Sequence, residues 1–119
     1  MRKITDHIAN PANDRIEISV MDDPGAGGAH HHYVVDVDGS KNELDVWFQN
    51  GPIAEEGVNG VTQEVLLAIV IDRLRCFQAG PYACKENAEA LTHAEYSLSW
   101  LKSRTRSRME RGVEGTHKL

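Results

Sequence analysis

Cys76-Phe77-Gln78-Ala79-Gly80-Pro81-Tyr82-Ala83-Cys84-Lys85 reads as a stop followed by a start. Gly80 suits a helix C-terminal cap, and Pro81 just after it cannot continue the helix. Upstream, Leu66, Ile69, Val70, Leu74 and Phe77 recur at three- and four-residue steps, which predicts a helix with one apolar face. Thr62 is placed to cap it, with Glu64 in the first turn opposing the helix dipole. Downstream, Leu91, Ala94, Leu98, Leu101 and Thr105 form nearly a heptad seam, so a second helix is expected from near Lys85 to about Arg111. At 1.5 Å per residue the two helices would measure roughly 25 and 40 Å. The longer one therefore overhangs, carrying its Arg-rich end past its neighbour.

Before residue 60 the pattern is different. Arg15-Ile16-Glu17-Ile18-Ser19-Val20-Met21 alternates polar and apolar residues, as a half-buried strand does. Tyr33-Val34-Val35-Asp36-Val37 reads as a second strand, closed by a turn at Asp38-Gly39-Ser40, and Leu44-Asp45-Val46-Trp47-Phe48-Gln49 as a third. Connections this short favour antiparallel pairing, because parallel strands need crossovers of about a dozen residues or more. The Gly-rich run from Gly51 to Gly60 reads as irregular loop. The expected fold class is α+β: an N-terminal antiparallel sheet of three or four strands, then a C-terminal two-helix hairpin. Residues 1–119 are read as one domain, with a β-rich part (1–60), the hairpin (61–112) and a tail (113–119).

The size, 119 residues, suits one domain, and no apolar run approaches the roughly 20 residues that cross a bilayer. The basic N-terminus has no apolar stretch behind it, so no secretory signal is read there, and Cys76 and Cys84 are expected as reduced, packed thiols. Charge is unevenly spread. Residues 1–101 carry 7 Lys/Arg against 16 Asp/Glu, and residues 102–119 carry 6 against 2. So acidic a body argues against a general duplex-DNA binder, whose affinity rests on many phosphate-neutralising cations. A basic segment on an acidic body suits a small anionic ligand better.

Four features invite chemistry. His30-His31-His32 offers imidazole ligands, but neighbours on a strand point to opposite faces, so an incidental loop edge is preferred and no metal site is expected. Cys84 lies near a helix start, yet His93 stands nine residues on, about 13 Å away by helical rise, so no catalytic nucleophile is expected. Arg104, Arg108 and Arg111 are spaced i, i+4, i+7; the plainer reading is a solvated face. The functional reading is phosphate binding, for which the planar guanidinium fork is suited. Finally, the loop 51–60 and the turn 77–87 offer backbone amides, the aromatics Phe77 and Tyr82, and the donor and acceptor of Asn87. No Walker or Rossmann glycine spacing accompanies them.

Several runs taken together resemble a known family. They are Gly57-Val58-Asn59-Gly60-Val61-Thr62, Asp72-Arg73-Leu74, Phe77-Gln78, Gly80-Pro81-Tyr82-Ala83-Cys84, Glu86-Asn87, Arg104-Thr105 and Arg111-Gly112-Val113-Glu114-Gly115-Thr116. The chain resembles the first-described phage Thoeris anti-defence family, whose helical hairpin is shared with phage anti-CBASS proteins. The match covers about residues 44–117 well and the sheet loosely. The resemblance implies a sponge without enzymatic activity or cofactor, acting in the cytoplasm of the infected bacterial host. Such a protein sequesters cyclic ADP-ribose-type signals without cleaving them, and some members also hold cyclic di- or trinucleotides at a separate site. It further implies a homodimer or homohexamer. Carried over by position, the ligand-binding residues are Phe77, Asn87, Arg104 and Arg108; Tyr82 departs from the Phe expected there. The alternatives are a phosphoesterase or lyase that degrades such signals, and a structural or regulatory phage protein that binds no nucleotide.

Overall fold

In the computed structural model, which describes residues 1–11, 15–39 and 42–119, an antiparallel sheet comes first. Among the described residues its strands are β1 (Arg2–Ile4), β2 (Ile16–Val20), β3 (His32–Val37) and β4 (Glu43–Trp47), ordered β1-β2-β3-β4. Three match the expected strands, of which only β2 alternates strictly; β1, only three residues long, left no such run. Ser40, assigned to the turn after the second strand, lies outside the described residues.

Register sorts the sheet into two faces. Ile18 pairs with Val35 and Val35 with Leu44; Val20 pairs with Tyr33 and Tyr33 with Val46. These residues line an apolar face, because side chains alternate along each strand. Val20 is 2% exposed, whereas Leu44 at 58% leaves the far end of that face open. The other face is mostly polar, with Val34 and Trp47 among its residues, and on it Lys3 Nζ donates to Glu17 Oε2 (3.1 Å) and to Ser19 Oγ (2.9 Å).

The run 51–60 corrects the loop reading. Ile53–Glu56 forms one helical turn, α1, and the segment is laced shut. Asn59 Nδ2 donates to the Asn50 carbonyl oxygen, and the Asn50 amide donates to Asn59 Oδ1, both at 2.7 Å. Gln49 Nε2 donates to the carbonyls of Gly57 (2.8 Å) and Gly51 (3.1 Å), while the Asn59 amide donates to Gln49 Oε1. The strap ends by lying parallel to Phe48 through Val61, whose amide donates to the Trp47 carbonyl at 2.8 Å.

The chain divides into two compact units, Met1–Val61 and Thr62–Leu119, at the point where strand-like alternation gives way to helical periodicity. The second unit is a hairpin of α2 (Gln63–Gln78) and α3 (Lys85–Glu110). Thr62 caps α2 as expected, accepting from the Val65 amide at 3.3 Å. The C-terminal cap is Ala79 rather than Gly80, and it is in the ordinary helical region. On α3 the half-buried residues are Asn87, Leu91, Ala94, Leu98, Leu101 and Thr105, so the heptad seam is the packed one. On α2 the covered stripe is instead Leu67, Ile71, Leu74 and Gln78, with Ile71 at 2% exposure. Ile69 at 61% and Val70 at 47% face outward. Of the expected stripe Leu66 and Leu74 are half-buried, whereas Ile69, Val70 and Phe77 are exposed, so the packed face is rotated from the one that the spacing suggests.

Candidate functional site

The turn between α2 and α3 is shaped by a side chain that spacing did not reveal. Gln78 Nε2 donates to the Cys84 carbonyl (3.2 Å) and Gln78 Oε1 accepts from the Cys84 amide (3.1 Å). This reciprocal pair closes residues 79–83 into a tight connection, leaving Tyr82 at 75% exposure. A glutamine six residues before a helix start was the available signal. Cys84 then caps α3, its Sγ accepting from the Asn87 amide at 3.4 Å. Both cysteines are free, but they are exposed rather than packed, because the turn holds them outside the helix–helix seam.

Phe77 ends α2 with its ring partly open, and the Arg73 guanidinium lies over it at 5.1 Å from the ring centroid. A cation held on an aromatic face is attracted by the ring quadrupole. Asn87 sits one turn into α3, half-buried, beside the α3 N-terminus. The turn and the helix ends beside it thus carry two exposed aromatic rings (Phe77 and Tyr82), the positive charge of Arg73 over one of them, and in Asn87 an amide able both to donate and to accept. That set can stack on a base and read its edge. His93, nine residues beyond Cys84, faces Glu89 at 3.9 Å.

The arginines lie elsewhere. Arg104 is seventeen residues beyond Asn87, about 25 Å along the helix axis. Within one chain, therefore, the turn and the Arg104 end do not converge on one small ligand. Nor do the arginines form one open stripe. Arg104 is exposed, but Arg108 is 7% exposed and committed to the tail. Its Nε donates to Glu114 Oε2 (3.2 Å), its Nη1 to the Lys118 carbonyl (2.5 Å), and its Nη2 to the carbonyls of Val113 (3.0 Å) and Thr116 (3.1 Å). Arg111 Nη2 donates to the Leu119 carbonyl at 2.7 Å. Regular spacing places side chains along a helix but does not foretell that the chain folds back over one of them.

The other candidates are structural. The amides of Glu55, Glu56 and Gly57 donate to carbonyls of the strap and that of Asn59 to Gln49 Oε1, which leaves fewer amides to cradle a phosphate. The three histidines diverge. His30 Nδ1 donates to the Asp22 carbonyl (2.6 Å), His31 Nε2 to the Ala26 carbonyl (3.0 Å), and His32 pairs with Asp45 (2.8 Å) while stacking on Trp47. The Asp22 carboxylate accepts from the His31 and His32 amides. The His31 amide holds the Asp22 carboxyl below the usual carboxylate range, opposed by its desolvation and aided by the His32 amide. A depressed value of this sign stabilises the loop above the ordinary carboxylate range, and the effect fades as pH falls through the lowered value. Among the described residues no three His, Cys, Asp or Glu side chains are grouped to hold a metal ion, and no helix is long and apolar enough to cross a membrane.

Comparison with known proteins agrees with this emphasis on the hairpin. Residues 40–106 match the family model described as Acb2/Tad1, hairpin domain. A curated relative from Bacillus phage SBSphiJ7, named Thoeris anti-defense 1, is 54% identical over 70 residues. That alignment takes in 59% of this chain and 49% of the relative, so the chain spans about half the length of the protein it matches.

Proposed function

The chain belongs to the Acb2/Tad1 hairpin-domain family, and from that membership we propose a phage immune-evasion protein that sequesters a nucleotide signal without cleaving it. The signal class is the cyclic ADP-ribose type used by Thoeris defence, with CBASS cyclic oligonucleotides as a second class at a separate site. The host cytoplasm is where such signals circulate and where the protein acts. The observation that carries this reading is the hairpin turn, with Phe77 partly exposed under Arg73 and Asn87 alongside, inside the segment that matches the family. Separation of the turn from Arg104 and Arg108 supports two ligand positions rather than one. Phe77 stacks on the base, Asn87 reads its edge, and Arg104 serves the phosphates of the second class, with Arg108 holding the tail beside it.

Sequestration is tested by incubating cyclic ADP-ribose with the protein, removing free ligand, heating, and assaying what is released. Intact signal supports a sponge; a cleaved product supports a phosphoesterase or lyase; no retained nucleotide supports a structural or regulatory role. In the same assay Phe77→Ala should abolish retention while the circular dichroism spectrum stays that of the wild type. With its ring 36% exposed, Phe77 should cost well under the roughly 3–5 kcal/mol typical of a buried phenylalanine. An unfolded variant would place Phe77 among core residues and remove it from the site.

Self-assembly belongs to the same proposal. Trp100 is 75% exposed and Tyr96 64%, four residues apart on one flank of α3. Aromatic side chains are enriched at protein–protein interfaces relative to the rest of the surface. Light scattering at micromolar concentration should report a dimer or hexamer, and a clean 13 kDa species would contradict it.

A further inference from the structure

Lys102 and Arg106 stand four residues apart on α3, on the flank opposite Arg104, because two residues turn a helix by about 200°. Across from them, on α2, is Arg75. The three cations border a groove of about 270 Å³ whose floor is Ile71 and Leu98 and whose remaining wall is Glu95 and Ser99. Glu95 is taken: its Oε2 accepts from Arg75 Nη2 at 2.8 Å. The side chain of neither Lys102 nor Arg106 has a hydrogen bond or ion pair to any of the described residues. Two like charges at i, i+4 repel each other unless an anion is shared between them. The carboxylates near them are Glu95, held by Arg75, and Glu110, four residues beyond Arg106, and neither forms an ion pair with Lys102 or Arg106.

We propose that this groove is an additional site, distinct from the hairpin turn and from the Arg104 end, for the phosphate group of a small phosphate ester. Lys102 and Arg106 hold the phosphate oxygens, the Ser99 hydroxyl donates a further hydrogen bond, and the Ile71–Leu98 floor takes the organic part. Arg75 and Glu95 neutralise each other, so the net positive charge of the groove is that of Lys102 and Arg106. The groove lies just under the volume range of drug-sized ligand pockets, which favours a mononucleotide or sugar phosphate over a larger ligand.

The probes are AMP and inorganic phosphate, titrated into the full chain by calorimetry at low salt. AMP should bind, phosphate should compete more weakly for the same site, and both affinities should fall as salt rises. Lys102→Gln with Arg106→Gln should lower AMP affinity at least tenfold, while Lys102→Arg retains it. The exposed double variant should keep its helical spectrum, and its retention of cyclic ADP-ribose should match the wild type. An AMP affinity within twofold of the wild type in the double variant would overturn the proposal. So would parallel loss of AMP and cyclic ADP-ribose binding, which would merge the groove with the signal site. If cyclic ADP-ribose is never retained by any form, the AMP titration still decides this site by itself.

Discussion

Gly60→Ala is expected to destabilise the Met1–Val61 unit by about 4 kcal/mol or more, at the far end of what single substitutions do. A Cβ there would stand 2.5 Å from the Phe48 carbonyl carbon and 2.6 Å from the carbonyl oxygens of Phe48 and Trp47. All three are backbone atoms, so no rotamer change relieves the overlap. The strap must lift off β4, breaking the Val61 amide to Trp47 carbonyl bond and the Gln49 amide to Val61 carbonyl bond. Gly57→Ala provides the contrast. Nothing lies within 4 Å of its Cβ position, but φ +71° with ψ 179° is a region essentially reserved for glycine, so it should cost about 1–3 kcal/mol of backbone strain. Urea unfolding of both variants, followed at the sheet, separates close approach from conformational freedom. A Gly60→Ala loss no larger than that of Gly57→Ala would mean the strap is not tied to the sheet.

Why some of this was legible in the sequence follows from the kind of signal each element leaves. The α3 seam, Leu91 to Thr105, could be read because every second turn repeats the same constraint, and the packed helix uses that stripe. Gln63–Gln78 was readable as a helix but not as a surface, since periodicity cannot say which of two apolar sides meets a neighbour. The turn residues Phe77 and Asn87 were placed correctly at a helix end and a helix start, because Gly80-Pro81 marks the break. Gln78 and Asn59 escaped notice because their work is side chain to backbone bonding, which has no period. Arg108 shows the limit most clearly. Its i, i+4 relation to Arg104 suggested a shared face, but the partners that bury it are carbonyls contributed by residues 113–118, and nothing in the spacing announces that reversal.

That reversal lets the two arginines be tested apart. Arg108→Gln removes the cation from a site where it serves the Glu114 carboxylate and three carbonyls at once. Hydrogen bonds to a charged group contribute about 1.5–3 kcal/mol each, but a freed tail recovers hydration, so the net loss should be about 3 kcal/mol rather than the sum. Residues 113–119 should then become sensitive to limited proteolysis and exchange their amides freely, with the α2–α3 hairpin still helical. Arg104→Gln should do neither, since Arg104 is exposed and exposed substitutions usually fall within about 0.5 kcal/mol. If both arginines serve phosphates where copies of the chain meet, the pair of changes removes two charge-assisted contacts and weakens ligand binding by at least about a hundredfold. Arg104→Gln alone should then account for a loss of at least about tenfold, with the tail still in place. Calorimetry with a cyclic trinucleotide and with cyclic ADP-ribose, beside the proteolysis pattern of each single variant, reads both roles. Wild-type affinity in Arg104→Gln together with a released tail in Arg108→Gln would make Arg108 a structural clamp and Arg104 a solvated side chain. The hairpin turn would then be left as the sole ligand position among these four residues.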